Sequence, residues 1–435
     1  MRWYLGAVAV LLIGLALDLG LLVYAMYVLL GIMLISRYLA REWIENITAE
    51  RDCSRLSAQM GEKVAVIVEI SNRGTLPVPW LLLEDSLPKE ALLQRPPRIR
   101  IEQRRTHIMR LKAGGKKTLL YQIQFLMRGY YQLGPLLAET GDLFGLHRRY
   151  RVLTEPHFVL VYPKVLPLES YNLASRRPIG EVRIMHRLFE DPTRISGVRP
   201  YGHGDPLNRI HWRATARMGE LHSKTYEPSS VAGATILLDF NRRNYPARNE
   251  PHRSELAVTT AASLGNALYQ MGQQVGLMTN GRDAADRIRE EGWRSDFYTR
   301  EMAQSKLGMR ESSDRLRPVE VATRRGADQL TRMLESLARI ELSDGLDFAA
   351  LVSEVTSQLP LDATVVAVLP DVSPETAIAL GNLRRRGFAV TAVMVMYDDE
   401  GHYPDCVGRL LAEGIDARRV EDEETLSVFC GEQLV

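Results

Sequence analysis

An apolar segment at the amino terminus constrains this chain more than any other sequence feature. Residues Trp3 to Ile35 include one charged side chain, Asp18, among mainly Leu, Val, Ala, Ile, Met and Tyr. A secretory signal peptide has a shorter apolar stretch that ends in small residues, whereas this one continues into Arg37 and Arg41. The pattern predicts a retained membrane anchor, and the alternative is a buried hairpin of a soluble protein.

The length of the segment favours two short spans. One span needs about 20 residues, and a carboxylate at the bilayer centre costs about 3 kcal/mol. We therefore expect Asp18 and Gly20 at the tip of a hairpin between spans Trp3 to Leu17 and Leu21 to Ile35. The positive flanks then share one side of the membrane, which predicts a two-span protein of the cell membrane with cytoplasmic soluble domains after residues 1–38.

Composition excludes several functional classes. Lys plus Arg (55) nearly balances Asp plus Glu (53), so the net charge of +2 disfavours a polycationic nucleic-acid binder. Cys53, Cys406 and Cys430 are too far apart and too few for a disulfide scaffold. The chain has no Walker A loop, no HExxH and no G-x-S-x-G motif. We predict no catalytic residues.

Residues 58–165 form a strand-rich region. Val64, Val66, Val68 and Ile70 alternate with Ala65, Ile67 and Glu69 and precede a turn, which is the two-residue period of a strand. About seven such segments predict an immunoglobulin-like β-sandwich that serves as a spacer or docking surface. Residues 166–231 then contain a polar linker, Leu168 to Arg187, and a dense motif.

Residues 232–435 alternate strands and helices, which predicts a doubly wound α/β domain with a largely parallel sheet. Ligands of such sheets lie beyond the carboxyl ends of the strands, where this sequence has Asp239, Asn241 and Asp371. The charged segment Arg282 to Arg325 shows weak apolar periodicity and is predicted to be a mobile insertion or a partly disordered loop.

The dense motif predicts a helix that begins at Asp205 and Pro206. Asp suits the N-cap position, and Pro suits the first turn because no amide donor is needed there. Arg209, Arg213 and Arg217 recur every fourth residue and are expected in one column, opposite a buried stripe of Leu207, Ile210 and Ala214.

Two interpretations of the arginine column stay open. The guanidinium groups could bind an anionic ligand or partner, or they could brace domains by pairing with nearby carboxylates while Trp212 closes the interdomain seam. Neither interpretation needs a nucleophile. His203 and His211 lack a thiol or third ligand at recognisable spacing, so a zinc site is not predicted there.

The same segment resembles a known family. Its hallmark residues, with Gly219-Glu220-Leu221 and Lys224-x-Tyr226-Glu227, are similar to those of the bacterial and archaeal "domain of unknown function 58" family. The likeness extends to Gly141-Asp142-Leu143-Phe144-Gly145-Leu146, Val161-Tyr162-Pro163-Lys164 and the two predicted spans. We assign an interaction role to the motif residues Tyr201, Gly204, Asp205, Arg209, His211, Trp212, Arg213 and Arg217.

The resemblance implies a von Willebrand factor A-like carboxyl-terminal domain. Such domains hold a metal through Asp-x-Ser-x-Ser, and the corresponding positions here are Asp239, Asn241 and Arg243. Two of the three positions depart from the motif, and a cation at Arg243 opposes Mg²⁺, although Asp371 resembles the later acidic ligand. We expect no cofactor, and Asp239 and Asp371 alternatively cap strand ends.

The leading functional prediction is a membrane-anchored, non-enzymatic interaction or scaffold protein. The family resemblance implies a partner, a MoxR-type AAA+ ATPase, in assembly or maturation of protein complexes. One alternative is an anionic-ligand binding protein or enzyme that uses the segment Tyr201 to Arg217. Another is metal-dependent adhesion through the degenerate site at Asp239, Asn241 and Asp371.

Overall fold

The chain begins with two apolar helices. The computed structural model describes residues 2–428, except 88, 143–144, 146, 169–189, 203–209, 229–232, 292–315, 361–362 and 397–401. Helix α1 is Arg2–Ala16 and helix α2 is Gly20–Glu45, and Asp18 has a positive φ of 50° in the turn between them. By length and composition α2 can cross a bilayer, and α1 is a shorter apolar helix that packs against it.

Helix α2 does not end at Ile35, where the predicted span ends, but continues to Glu45. Its last turns carry Trp43 and Ile44 into the core of the following strand-rich module. The Arg151 side chain donates hydrogen bonds to the Ile44 and Glu45 carbonyls, at 3.3 and 2.7 Å. The helix continues beyond Ile35 because the apolar side chains of its last turns pack against the strand-rich module.

The strand-rich module packs three sheets around one shared core, with strand orders β1-β3-β7-β5, β10-β9-β4-β6 and β2-β11-β8. Its elements are β1 (Ile47–Cys53), β2 (Ser57–Gln59), β3 (Lys63–Asn72), β4 (Val78–Asp85), α3 (Lys89–Leu93), β5 (Ile99–Glu102), β6 (Thr106–Leu111), β7 (Lys116–Phe125), β8 (Gly129–Leu133), β9 (Leu136–Gly141), β10 (Arg148–Thr154) and β11 (His157–Tyr162).

The predicted alternation in β3 is confirmed, since Val64, Val66, Val68 and Ile70 are all buried. The expected number of about seven strands is too low, because the described residues of this module include eleven strands and the first begins at Ile47. Sequence periodicity missed β1 because a charge sits on its inner side.

That charge is Arg51, which forms a fully buried ion pair with Asp85 at 3.0 Å. Arg51 also donates to the Thr154 hydroxyl, and Tyr121 donates to Asp85. Burial raises the pKa of Asp85, while Arg51 and the Tyr121 hydrogen bond oppose that rise. Removing the two charges from water costs free energy, and the surrounding hydrogen bonds offset part of that cost.

A two-stranded antiparallel ribbon follows, formed by β12 (Glu190–Pro200) and β13 (His222–Pro228), with helix α4 (Trp212–Met218) between them. The carboxyl-terminal domain then has a six-stranded sheet of order β17-β15-β14-β19-β20-β21. Its strands are β14 (Gly233–Leu238), β15 (Gln274–Thr279), β17 (Val319–Arg324), β19 (Ala363–Leu369), β20 (Ala389–Val395) and β21 (Asp416–Val420), and the short pair β16 (Arg282–Asp283) and β18 (Ile340–Glu341) lies outside that sheet.

Helices cover both faces of the six-stranded sheet. They are α5 (His252–Gln270), α6 (Ala284–Glu291), α7 (Ala327–Arg339), α8 (Phe348–Val355), α9 (Pro374–Arg385), α10 (Tyr403–Ala412) and α11 (Glu423–Val428). Within β14, Ile236 faces a core built with α5 and α7, and Leu237 faces a second core built with α8, α9 and α10. The continuously apolar strands follow from burial on both faces.

The prediction that the segment Arg282 to Arg325 is a mobile insertion is wrong at its described ends. Its described ends form helix α6 and strand β17, which pairs antiparallel with β15 at the sheet edge. Residues 292–315 lie outside the described part. The edge strand was missed because one of its faces is solvent-exposed and rich in charge.

Arg128 joins the strand-rich module to the α/β domain. Its guanidinium donates to the Leu337 and Ile340 carbonyls at the end of α7, at 2.7 and 2.8 Å. It also pairs with Glu255 of α5 at 3.3 Å and lies 5.5 Å from the centre of the Phe240 ring. Because Arg128 is buried, these contacts are shielded from water and fix the two parts together.

Replacing Arg128 with Met should destabilise this junction. The change removes two charge-assisted hydrogen bonds and an ion pair, at a cost of about 3 kcal/mol. We expect a lower urea midpoint and faster tryptic cleavage of the full chain in detergent. Arg148→Met is the matched control, because Arg148 is mostly exposed and pairs with Glu139 at 3.6 Å on the surface. Equal effects of the two changes would contradict a junction held by Arg128.

Candidate functional site

The described part of the motif segment forms a small capped unit. Ile210 makes an isolated antiparallel bridge with Ser223, and the His211 amide donates to the His222 carbonyl at 2.8 Å. The His211 ring nitrogen Nδ1 accepts from the Ala214 amide at 3.0 Å and so caps the start of α4. Gly219 closes the helix with a left-handed conformation, φ 77°, which suits glycine.

This geometry corrects the predicted helix. A helix running from Pro206 through Arg217 is wrong, because Ile210 is in a β-bridge and α4 begins only at Trp212. Ile210 is buried by strand pairing rather than by a helical stripe. Gly204, Asp205 and Arg209 lie in 203–209, outside the described residues, together with His203.

The described remainder of the motif presents an exposed surface. The Trp212 side chain is 69% exposed, and Arg213 and Arg217 are exposed one turn apart on α4. Neither arginine forms an ion pair with any residue that the structure describes. The bracing interpretation expected Trp212 to close a seam, and its exposure contradicts that role. Tyr201 is half-buried, and its amide donates to the Leu221 carbonyl.

Further apolar groups surround the arginines. Met218 and Leu221 are 63% and 47% exposed, and Val198 on the neighbouring ribbon is also exposed. We call the set Trp212, Arg213, Arg217, Met218 and Leu221 the α4 patch. Trp and Arg are among the residue types that contribute most to binding energy in protein interfaces.

A separate cavity lies between the strand-rich module and the α/β domain, with a volume of about 570 Å³. Arginines predominate among its charged lining residues, although several form ion pairs, such as Arg287 with Glu341 at 2.6 Å. No described residue of the segment Tyr201 to Arg217 lines this cavity. This cavity therefore gives no support to the anionic-ligand alternative, which was based on that segment.

Asp239 lies at the carboxyl end of β14 and is fully buried. Its Oδ1 accepts from the Asn280 side chain at 2.9 Å and the Asn241 amide at 3.2 Å, and its Oδ2 accepts from the Asn244 side chain at 2.6 Å. Burial raises the pKa of Asp239, although these hydrogen bonds oppose the rise. Both carboxylate oxygens are thus occupied by neutral amide donors.

The side chain of Asn241, another predicted ligand of the degenerate metal motif, also forms internal hydrogen bonds. The Asn241 side chain accepts from the Arg243 amide at 3.0 Å and donates to the Leu346 carbonyl at 2.8 Å. Arg253, which is buried, donates to the Pro370 and Val395 carbonyls at the same edge of the sheet. Internal amides thus donate to the Asp239 and Asn241 oxygens that Mg²⁺ would need, which favours the capping interpretation for Asp239.

Asp371, at the end of β19, belongs to a different cluster. Its Oδ1 accepts from His402 Nε2 at 2.7 Å and from Cys406 Sγ at 3.4 Å, and also from the Val372 amide at 2.7 Å. Half-burial tends to raise the pKa of Asp371, but the hydrogen bonds outweigh it and the pKa is lowered. The sequence analysis missed the cluster because His402 and Cys406 are distant from Asp371 in sequence. The signal that the sequence offered was the four-residue spacing of His402 and Cys406.

The cluster is a poor nucleophilic centre. Burial raises the pKa of the Cys406 thiol to about 11, so little thiolate exists at neutral pH. His402 directs Nε2 to the carboxylate, so this nitrogen does not serve as a base for the thiol. Cys53 is also a free thiol, and Cys430 lies outside the described residues.

Comparison with known proteins agrees with the family resemblance of the motif. Residues 197–298 match the family described as "Protein of unknown function DUF58". The uncharacterized protein YeaD of Bacillus subtilis (strain 168) is 22% identical over 261 residues, 60% of this chain. The chain spans 62% of the length of that relative. The matched region contains the α4 patch.

Solved structures provide only weak similarity. The CARDB domain of the PF1109 protein from Pyrococcus furiosus is 15% identical with a TM-score of 0.18, covering 26% of this chain and 91% of that domain. The PapD-like domain 7 of human CEP192 is 15% identical with a TM-score of 0.17, covering 26% of this chain and 83% of that one. TM-scores of this size carry no argument about fold or function.

Asp239→Asn should be tolerated much better than Asp239→Leu. Asn keeps the acceptor for Asn241 and Asn280, and the Asn244 amide can turn to accept from the new NH₂ group. We expect a change below about 1 kcal/mol for Asn and a loss of about 3 kcal/mol for Leu, which leaves buried donors unsatisfied.

Urea unfolding of the full chain checks these values. Because burial raises the pKa of Asp239, the wild type should lose stability relative to Asp239→Asn as pH rises through that pKa. Equal damage from Asn and Leu would show that the negative charge itself is required, contrary to a capping role.

Proposed function

We propose that this chain is a membrane-anchored, non-enzymatic interaction protein that docks a partner protein through the α4 patch. The observation that carries the proposal is the exposure of Trp212 beside two arginines without ion pairs to described residues. Elsewhere in the motif, His211 and Gly219 cap the helix and Ile210 fixes it to β13. These three residues therefore hold α4 and its exposed side chains in place.

The composition of the patch favours a particular partner chemistry. Arg213 and Arg217, one turn apart, suit carboxylates through paired hydrogen bonds, and Trp212 supplies a large apolar contact. An acidic protein surface with an apolar pocket complements this arrangement. The family resemblance suggests that this surface belongs to a MoxR-type AAA+ ATPase, acting in assembly or maturation of protein complexes.

We further propose a von Willebrand factor A-like character for the α/β domain. Counted within the domain's main sheet, the strand order is 3-2-1-4-5-6, with the third strand antiparallel at one edge. This order has its switch point between β14 and β19, where ligands of open α/β sheets bind. The arrangement supports a docking domain. Its metal-dependent adhesive form is disfavoured by the engaged amides around Asp239.

The anchor is proposed to be a two-span hairpin with both flanks in the cytoplasm. Helix α1 has 15 residues and α2 has 26, and the two are joined by the turn at Asp18. Helix α1 is about 22 Å long by its rise per residue, shorter than the roughly 30 Å hydrocarbon core. Local thinning of the bilayer accommodates such a short span at modest cost. Arg37 and Arg41 follow the apolar part of α2 and support a cytoplasmic carboxyl-terminal body.

Changes in the α4 patch should abolish docking without unfolding the chain. For Trp212→Ala and for Arg213→Glu with Arg217→Glu, we expect at least a tenfold loss of affinity for the MoxR-type ATPase of the same organism, the 1.4 kcal/mol equivalent. Affinity is measured by biolayer interferometry with the full chain in nanodiscs.

Matched controls come from the strand-rich module. Ile108 is 76% exposed and Arg149 is exposed, so Ile108→Ala removes an exposed apolar side chain and Arg149→Glu reverses one exposed charge at another surface. These controls should bind as the wild type does. No binding by the wild type, or equal losses in patch and control variants, would refute the proposed docking surface.

Protease protection in spheroplasts tests the anchor. With two spans, epitope tags at both termini should resist external protease until the inner membrane is disrupted. A single span would leave the amino-terminal tag accessible while the carboxyl-terminal tag is protected. Release of the intact chain by alkaline carbonate would contradict an integral anchor altogether.

A further inference from the structure

The side chains of Asp371, His402 and Cys406 form a compact group of metal-ligating types. One ligand atom from each lies within 4.8 Å of the others. The Asp371 oxygen is 2.7 Å from His402 Nε2 and 3.4 Å from Cys406 Sγ. Nitrogen, sulfur and oxygen are thus presented to one point by two elements that are adjacent in the fold.

Local structure holds each ligand in place. His402 is the N-cap residue of α10, and Cys406 lies one turn later, so their side chains share a face of the helix. Asp371 is fixed by the Val372 amide, and the Val372 carbonyl accepts from Arg409 of α10 at 2.6 Å. Arg409 therefore ties the strand-end loop that carries Asp371 to the helix that carries the other two ligands.

The spacing is close to that of a tetrahedral site. Zinc bonds of about 2.0 Å to N or O and 2.3 Å to S place neighbouring ligand atoms about 3.3 to 3.6 Å apart. The Asp371–Cys406 separation already fits, and the Asp371–His402 separation must lengthen by about 0.6 Å as an ion replaces the shared proton. The side chains of Asp371 and His402 are 36% and 40% exposed, so an ion can enter from solvent.

We propose that Asp371, His402 and Cys406 form a three-ligand Zn²⁺ site whose fourth position is open to water or to a partner's side chain. Imidazole and thiolate select a borderline-soft ion, in contrast to the oxygen ligands of a magnesium site at Asp239 and Asn241. On binding, the Cys406 thiol releases its proton to solvent, and His402 binds through Nε2 as a neutral ring protonated at Nδ1. The carboxylate and thiolate charges then balance the charge of the ion.

The location suits a ligand site. Asp371 follows β19 at the carboxyl edge of the parallel sheet, next to the switch point between β14 and β19. The proposal is independent of docking by the α4 patch, because it uses no residue of that patch. Its test therefore reads out metal binding alone.

Titration with Co²⁺ tests the site in the reduced, metal-free full chain in detergent. We expect one equivalent of Co²⁺ to produce thiolate-to-cobalt charge-transfer absorption with tetrahedral visible bands, and Zn²⁺ to abolish both. A hundredfold excess of Mg²⁺ should displace nothing, because thiolate and imidazole are poor ligands for that ion. Absence of charge-transfer absorption in the wild type would overturn the proposal.

Variants assign the ligands. Cys406→Ser should lose the charge-transfer absorption, and His402→Ala and Asp371→Asn should weaken Co²⁺ binding at least tenfold. The matched thiol control is Cys53→Ser, which should retain the signal, as should Asp239→Asn. Circular dichroism and urea unfolding establish that the Cys406→Ser chain is folded. A signal that survives Cys406→Ser but is lost with Cys53→Ser or Asp239→Asn would place the ion elsewhere and refute this site.

Discussion

The contact of Arg128 with the end of α7 determines how the two large parts of this molecule sit together. Because Arg128 is buried, most of its partners are protein groups, and it contacts two carbonyls, Glu255 and the Phe240 ring. These partners belong to three segments of the α/β domain. The junction is therefore specified by hydrogen-bond directions as well as by apolar contact, and it defines the walls of the cavity between the two parts.

Within the α/β domain, the polar groups concentrate at one edge of the main sheet. The four central strands, β15, β14, β19 and β20, are buried by helices on both faces, and carboxylates occur beyond their ends rather than within them. Two strand ends have contrasting environments. Asp239 is enclosed by neutral amides, whereas Asp371 is half-exposed beside an imidazole and a thiol. The same edge thus combines a structural carboxylate with one available for ligand chemistry.

Local patterns in the sequence were sufficient for some features and not for others. Alternation in β3 and the apolar strands of the main sheet were predictable because burial there follows a simple period. Strand β1 was missed because Arg51 is neutralised by Asp85 from another strand, a contact that no local pattern reveals. The α4 helix was placed too early because Ile210 pairs with Ser223 of β13, a contact that capping residues in the sequence do not reveal. The Asp371 cluster depends on tertiary neighbours.

Helix α2 is continuous from its apolar part to the last turns, which pack on the strand-rich module. Its 26 residues span about 39 Å, and Arg151 of that module donates a hydrogen bond to its last carbonyl, that of Glu45. With α2 as the proposed membrane span, this continuous helix would differ from a flexible linker, since it would set the tilt of the attached domains relative to the lipid surface. Mechanical force on these domains would then be transmitted to the bilayer by the helix, whereas a flexible linker would extend first.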